Sequence, residues 1–79
     1  MIPEHALAIL TEDIPRLGLA EGDIGSVVFV HRGGEAYQVE FVALDGSTLD
    51  VVLLRSNQVR PAVPREVAHA RLVGSAEPA

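Results

Sequence analysis

The side chains that could do chemistry in this chain are eleven carboxylates, three histidines and a few serines, with no cysteine. Without cysteine there is no disulfide and no thiolate metal site. His5, His31 and His69 lie far apart, without the His-x-x-x-His spacing of a zinc site, so no metal centre is expected. No serine sits in a nucleophile-elbow motif, and a serine hydrolase also needs a base and an orienting acid. Gly22-Asp23-Ile24-Gly25 lacks the lysine and the following helix of a phosphate-binding loop. Paired carboxylates could serve a glycosidase only beside a substrate cleft, which so small a chain rarely offers. These residues point to binding rather than catalysis, with no enzyme activity and no cofactor expected.

The charges narrow the class of partner. The formal net charge is −5 and there is no lysine. The imbalance lies before Pro61, where Glu4, Glu12, Asp13, Glu21, Asp23, Glu35, Glu40, Asp45 and Asp50 face only Arg16, Arg32, Arg55 and Arg60. Such a field repels a phosphate backbone, so nucleic acid is disfavoured. It attracts and steers a basic protein. The N-terminus has no basic region followed by an apolar stretch, so no signal peptide is expected. No apolar run approaches the roughly 20 residues that span a bilayer. With no cysteine and no targeting segment, the expected location is cytoplasmic.

The elements that must position these groups are strands. The chain's 79 residues suffice for one small core, and 48% of them are hydrophobic. Ala6–Leu10 reads as a first strand. Ile14–Asp23 has loop composition, with Pro15, Gly18 and Gly22. Ile24–Val30, Ala36–Val42 and Thr48–Leu54 read as three further strands, separated by His31–Glu35 and by Asp45-Gly46. Ser56-Asn57-Gln58 reads as one helical turn, and Val59-Arg60 as a short final strand closed by Pro61. Residues 62–79 form a C-terminal appendage: Arg65–Val73 fits either a short helix or an added strand, and the last six residues are expected to be mobile. Strand, long loop, three hairpin-linked strands, helical turn and short strand is the order of an SH3-like five-stranded barrel, so residues 1–61 are expected to form an all-β small barrel.

Turn chemistry predicts the register. A three-residue Leu44-Asp45-Gly46 loop, with Gly46 in the left-handed position, pairs Phe41 with Leu49, Val39 with Val51 and Tyr37 with Leu53. A two-residue Gly33-Gly34 turn opposes Val30 to Tyr37 and Val28 to Val39. Val27, Phe29, Val42 and Val52 then face outward, and Glu40 lies opposite Asp50 on that same outer face. Like charges across a strand pair repel, and together they would suit a lysine or arginine of a partner. A contiguous outward apolar patch marks an interface, unless the Arg65–Val73 tail or the first loop covers it. The candidate partner surface is therefore Val27, Phe29, Glu40, Val42, Asp50 and Val52, with a basic protein as the expected occupant and a second copy of the chain as the alternative.

A family resemblance rests on residues in order along residues 1–62. They are Leu10-Thr11-Glu12-Asp13-Ile14-Pro15, Gly18-Leu19, Gly22-Asp23-Ile24-Gly25-Ser26-Val27-Val28, Ala36-Tyr37-Gln38-Val39-Glu40-Phe41 and Val59-Arg60-Pro61. Together they resemble a bacterial family known as domain of unknown function number 4926. The resemblance implies a small SH3-like barrel and carries no catalytic residues. Some relatives resemble neighbours of toxin-type domains, which implies an antitoxin or immunity-type role. Gly22-Asp23-Ile24-Gly25 with Val27 also resembles the second half of the translational KOW motif, which implies an RNA- or ribosome-associated factor as the alternative. The basic residues that motif carries are missing here.

Overall fold

Runs of β-branched and aromatic residues, interrupted by glycine and proline, become five strands. In a computed structural model that describes residues 1–73 these are β1 (Leu7–Leu10), β2 (Ile24–His31), β3 (Ala36–Val42), β4 (Thr48–Arg55) and β5 (Val59–Pro61). They form one antiparallel sheet in the order β4-β3-β2-β1-β5, and the fold is all-β. The expected helical turn before β5 is a 3₁₀ turn at Ser56–Gln58, and Pro15–Leu17 makes another inside the long first loop. That loop is ordered from within. Ile14 and Leu19 bridge each other and are buried, and the Asp13 carboxylate accepts the Glu21 N–H at 2.8 Å.

The three-residue turn forms as expected, whereas the two-residue Gly33-Gly34 turn is replaced by a four-residue one, Arg32–Glu35, in which the Gly34 and Glu35 N–H groups both donate to the His31 carbonyl. The Ala43 N–H donates to the Ser47 carbonyl at 2.8 Å across Leu44-Asp45-Gly46, Val42 faces Thr48, and Gly46 has φ +93°. Around Gly33-Gly34, Val30 faces Tyr37 as expected. Beyond each turn, however, one extra residue breaks the register. In β4 it is Leu49: Val42 faces Thr48, but Phe41 faces Asp50, Val39 faces Val52 and Tyr37 faces Leu54. In β2 it is Val28: Val30 faces Tyr37, but Val39 faces Val27.

A bulge of one residue flips every side chain beyond it to the other face. The expected pairs of Phe41 with Leu49, Val39 with Val51 and Tyr37 with Leu53 are therefore corrected: Leu49, Val51 and Leu53 are exposed, and Val52 and Leu54 are buried. Val27, also expected outside, is fully buried. The physical gain is visible in β2, where Val27 is in the core and Val30 packs against it. Residues three apart share a strand face only across a bulge. A bulge also bends and twists its strand, which helps a small sheet curl over its core.

The core draws Ala8 and Leu10 from β1, Val27 from β2, Tyr37, Val39 and Phe41 from β3, Val52 and Leu54 from β4, and Val59 from β5. Gly25 makes room for it. A Cβ there would stand 2.5 Å from Val39 Cγ1, 2.8 Å from the Glu40 carbonyl oxygen and 3.1 Å from Phe41 Cδ1. Residues 62–73 have no regular secondary structure, so Arg65–Val73 is neither the helix nor the strand expected of it. The expectation for the last six residues lies outside the described residues.

Candidate functional site

With the bulges in place, the outer face of β2, β3 and β4 carries Phe29, Val42, Leu49, Val51 and Leu53 beside polar Gln38, Glu40 and Thr48. Phe29, Gln38 and Leu53 form one cross-strand row, and Glu40 and Val51 stand in the next. Phe29 is 48% exposed and Leu53 61%, and Val42, Leu49 and Val51 are exposed as well. On β4 the spacing Leu49, Val51, Leu53 follows from the strand period of two. The Phe29 ring meets His31 edge-on with centroids 4.6 Å apart, which fixes the ring on the surface.

Of the residues expected on this face, Phe29, Glu40 and Val42 are there, and Val27 and Val52 are in the core. Leu49, Val51 and Leu53 take their place. Their alternation with Asp50, Val52 and Leu54 is visible in the sequence, but the extra residue Leu49, and not the turn, sets which of the two sets faces out. Glu40 does not lie opposite Asp50, so the expected pair of facing carboxylates does not exist. Glu40 Oε2 instead accepts the Thr48 hydroxyl at 2.8 Å, which holds one carboxylate within this face.

Asp50 takes up a different task. It lies opposite Phe41, in the row that points inward, at the open end of the edge strand β4. Its Oδ1 accepts the Val51 N–H at 2.9 Å. Four residues on, the Arg55 N–H donates to Gln58 Oε1 at 2.8 Å. Val51 and Arg55 have the same parity on β4, so this is the row of N–H groups that points away from β3. Two of the donors a new strand would need are thus already occupied. An inward charge on an edge strand also opposes edge-to-edge pairing. Both features oppose the addition of a strand at the β4 edge.

The three histidines are scattered. His5 lies in the turn before β1, His31 ends β2, and His69 lies in the tail. Among the described residues no three His, Asp or Glu side chains gather as a metal site would require. Among them, too, no helix is long and apolar enough to cross a membrane.

The family described as a domain of unknown function, DUF4926, matches residues 4–61. The chain belongs to this family. The DUF4926 match begins just before β1 and ends on Pro61, the last residue of β5, so it takes in the whole sheet. Phe29, Glu40, Val42, Leu49, Val51 and Leu53 all fall within the DUF4926 region, and the tail after Pro61 falls outside it. No curated protein and no solved structure matches the chain.

Proposed function

We propose that this chain is a non-enzymatic protein-binding module that docks a basic protein on the outer face of β2, β3 and β4. The reading is carried by one observation: Phe29, Val42, Leu49, Val51 and Leu53 are exposed together on three adjacent strands. Apolar side chains left in water on one face favour association, with Gln38 and Glu40 of β3 between those of β2 and β4. Glu40 inside the patch, with a net charge of −5 around it, favours a cationic partner. The same charges oppose a second copy, since two like faces would bring Glu40 towards its own mate. An antitoxin or immunity-type role would use this mechanism, with the domain covering a basic surface of its target.

The test is binding of a basic partner captured from the native host, compared for wild type, Phe29→Ala, Leu53→Asp and Glu40→Gln. Loss of an anchor at the centre of an interface costs about 2 kcal/mol or more, or roughly 30-fold in affinity. Phe29→Ala and Leu53→Asp should reach that loss while the domain still unfolds cooperatively, with the thermal midpoint lowered far less than by Leu54→Ala. Glu40→Gln should slow association at low salt and matter less at high salt. Partner affinity untouched by Leu53→Asp would end this reading. Salt-dependent RNA binding preserved in that variant would favour the KOW-like alternative.

A further inference from the structure

At the end of the long first loop, Asp23 holds an arginine. Arg71 Nε donates to Asp23 Oδ1 at 2.8 Å, its Nη2 donates to the other carboxylate oxygen, and the same Nη2 reaches the Gly18 carbonyl at 3.1 Å. The receiving groups are set by the loop, not by the arginine. Asp23 Oδ2 also accepts the Ala20 N–H at 2.8 Å, and Gly18 closes the 3₁₀ turn with φ +73°, its N–H on the Pro15 carbonyl at 3.0 Å. A carboxylate presenting both oxygens matches the planar fork of a guanidinium, which an ammonium cannot imitate.

An apolar groove continues from this point. Ile9 faces outward on β1, opposite Ile24 of β2, and stands apart from the core cluster, yet it is only 6% exposed. Val63, Val67 and His69 of the tail line the same groove as Ile9 and Ile24, while staying exposed themselves, Val67 at 89%. Among the described residues the tail makes no backbone hydrogen bond to the sheet. Its one backbone bond is internal, from the Glu66 N–H to the Val63 carbonyl at 3.3 Å. Side chains hold it down, chiefly Arg71 on Asp23 and Arg60 on Glu66. With side-chain exposures of 37% for Arg71 and 18% for Asp23, this ion pair multiplies the closed population by about fivefold.

We infer that Asp23 and the Gly18 carbonyl, with the Ile9–Ile24 groove, form a guanidinium-receiving site for an extended, arginine-bearing segment of a partner protein, and that the chain's own tail competes for it through Arg71. The receiving residues lie within the matched DUF4926 region, and the competitor lies beyond it. Tethering gives the tail a high effective concentration, so a partner segment must add contacts of its own to displace it. The site uses none of the residues of the outer face, so its failure and the failure of the outer-face reading are separable.

The probe is a synthetic peptide with the sequence of residues 65–73, titrated into the full chain and followed by the methyl resonances of Ile9 and Ile24. Arg71→Ala frees the site and should bind the peptide about fivefold more tightly than wild type. Asp23→Asn added to Arg71→Ala should remove that binding. A peptide carrying Arg71→Lys should bind about tenfold more weakly, because the fork is lost. Leu53→Asp should leave all of this unchanged. The inference is overturned if Arg71→Ala and wild type bind alike, if the Asp23→Asn combination still binds, if the lysine peptide binds as well as the arginine one, or if Arg71→Ala shows no binding at millimolar peptide.

Discussion

Leu53 and Leu54 are chemically identical neighbours on β4, and the bulge at Leu49 assigns them to opposite faces, 61% and 2% exposed respectively. Leu→Ala removes three carbons, at about 0.8 kcal/mol for each buried one, or about 2.4 kcal/mol of transfer free energy. At Leu54 the full amount applies, and the cavity left under Phe41, Tyr37 and Val52 raises the cost to about 3–4 kcal/mol. At Leu53 only the buried fraction counts, and about 1 kcal/mol is the ceiling. For a domain of this size 1 kcal/mol moves the thermal midpoint by about 4–8 °C. Leu54→Ala should therefore lower it by at least about 12 °C, against at most about 8 °C for Leu53→Ala. Circular dichroism melts, backed by urea titrations with unchanged m-values, read the difference. Equal midpoints, or a larger loss at Leu53, would put β4 back in the unbulged register and remove the outer face with it.

Gly25→Ala should destabilise by about 1–3 kcal/mol, because one of the atoms its Cβ would strike is the Glu40 carbonyl oxygen, which cannot swing aside; a urea midpoint equal to wild type would contradict the close approach of β2 and β3. Asp50→Val removes the acceptor on the Val51 N–H and puts an apolar residue opposite Phe41. It should leave the fold stable and raise self-association about tenfold or more in sedimentation, and a strictly monomeric variant would show that Asp50 does not guard the edge. Acid should release the tail before it unfolds the sheet. The Arg60 guanidinium and the Val63 N–H hold the Glu66 carboxyl at about 2, below its ordinary 4.5. Burial pushes Asp23 up, but the Arg71 guanidinium and the Ala20 N–H outweigh it and leave the carboxyl lowered. Groups lowered in the folded state stabilise it above their ordinary values and lose that effect as pH falls through the folded ones. Resonances of Val67 and His69 backbone amides should therefore shift between about pH 4.5 and 2 while those of β3 hold; tail amides that stay flat over that range would refute the clamp.

The strands, their order of appearance, the places of the turns and the three-residue Leu44-Asp45-Gly46 loop are legible in the residues alone. These are local matters. Gly46 takes positive φ because a three-residue loop needs it there, and Val30 meets Tyr37 because the turn around Gly33-Gly34 places them so. The sequence also carries the family, since the motifs between Leu10 and Pro61 lie within the matched residues. Phe29 lies on the outer face because it sits on the turn side of the extra Val28, and Glu40 because β3 carries no extra residue and its alternation with Val39 and Phe41 is unbroken. The rest of that face depends on contacts distant in sequence. Thr48–Leu54 alternates equally well in either phase, with Leu49, Val51 and Leu53 on one side and Val52 and Leu54 on the other. A single bulge residue selects between them, and its benefit arises only when Val52 and Leu54 close on Tyr37, Val39 and Phe41 across the sheet. The contact of Arg71 with Asp23 spans 48 residues and has no local signature, because nothing in the pattern around either residue depends on the other until the tail lies down on β1 and β2.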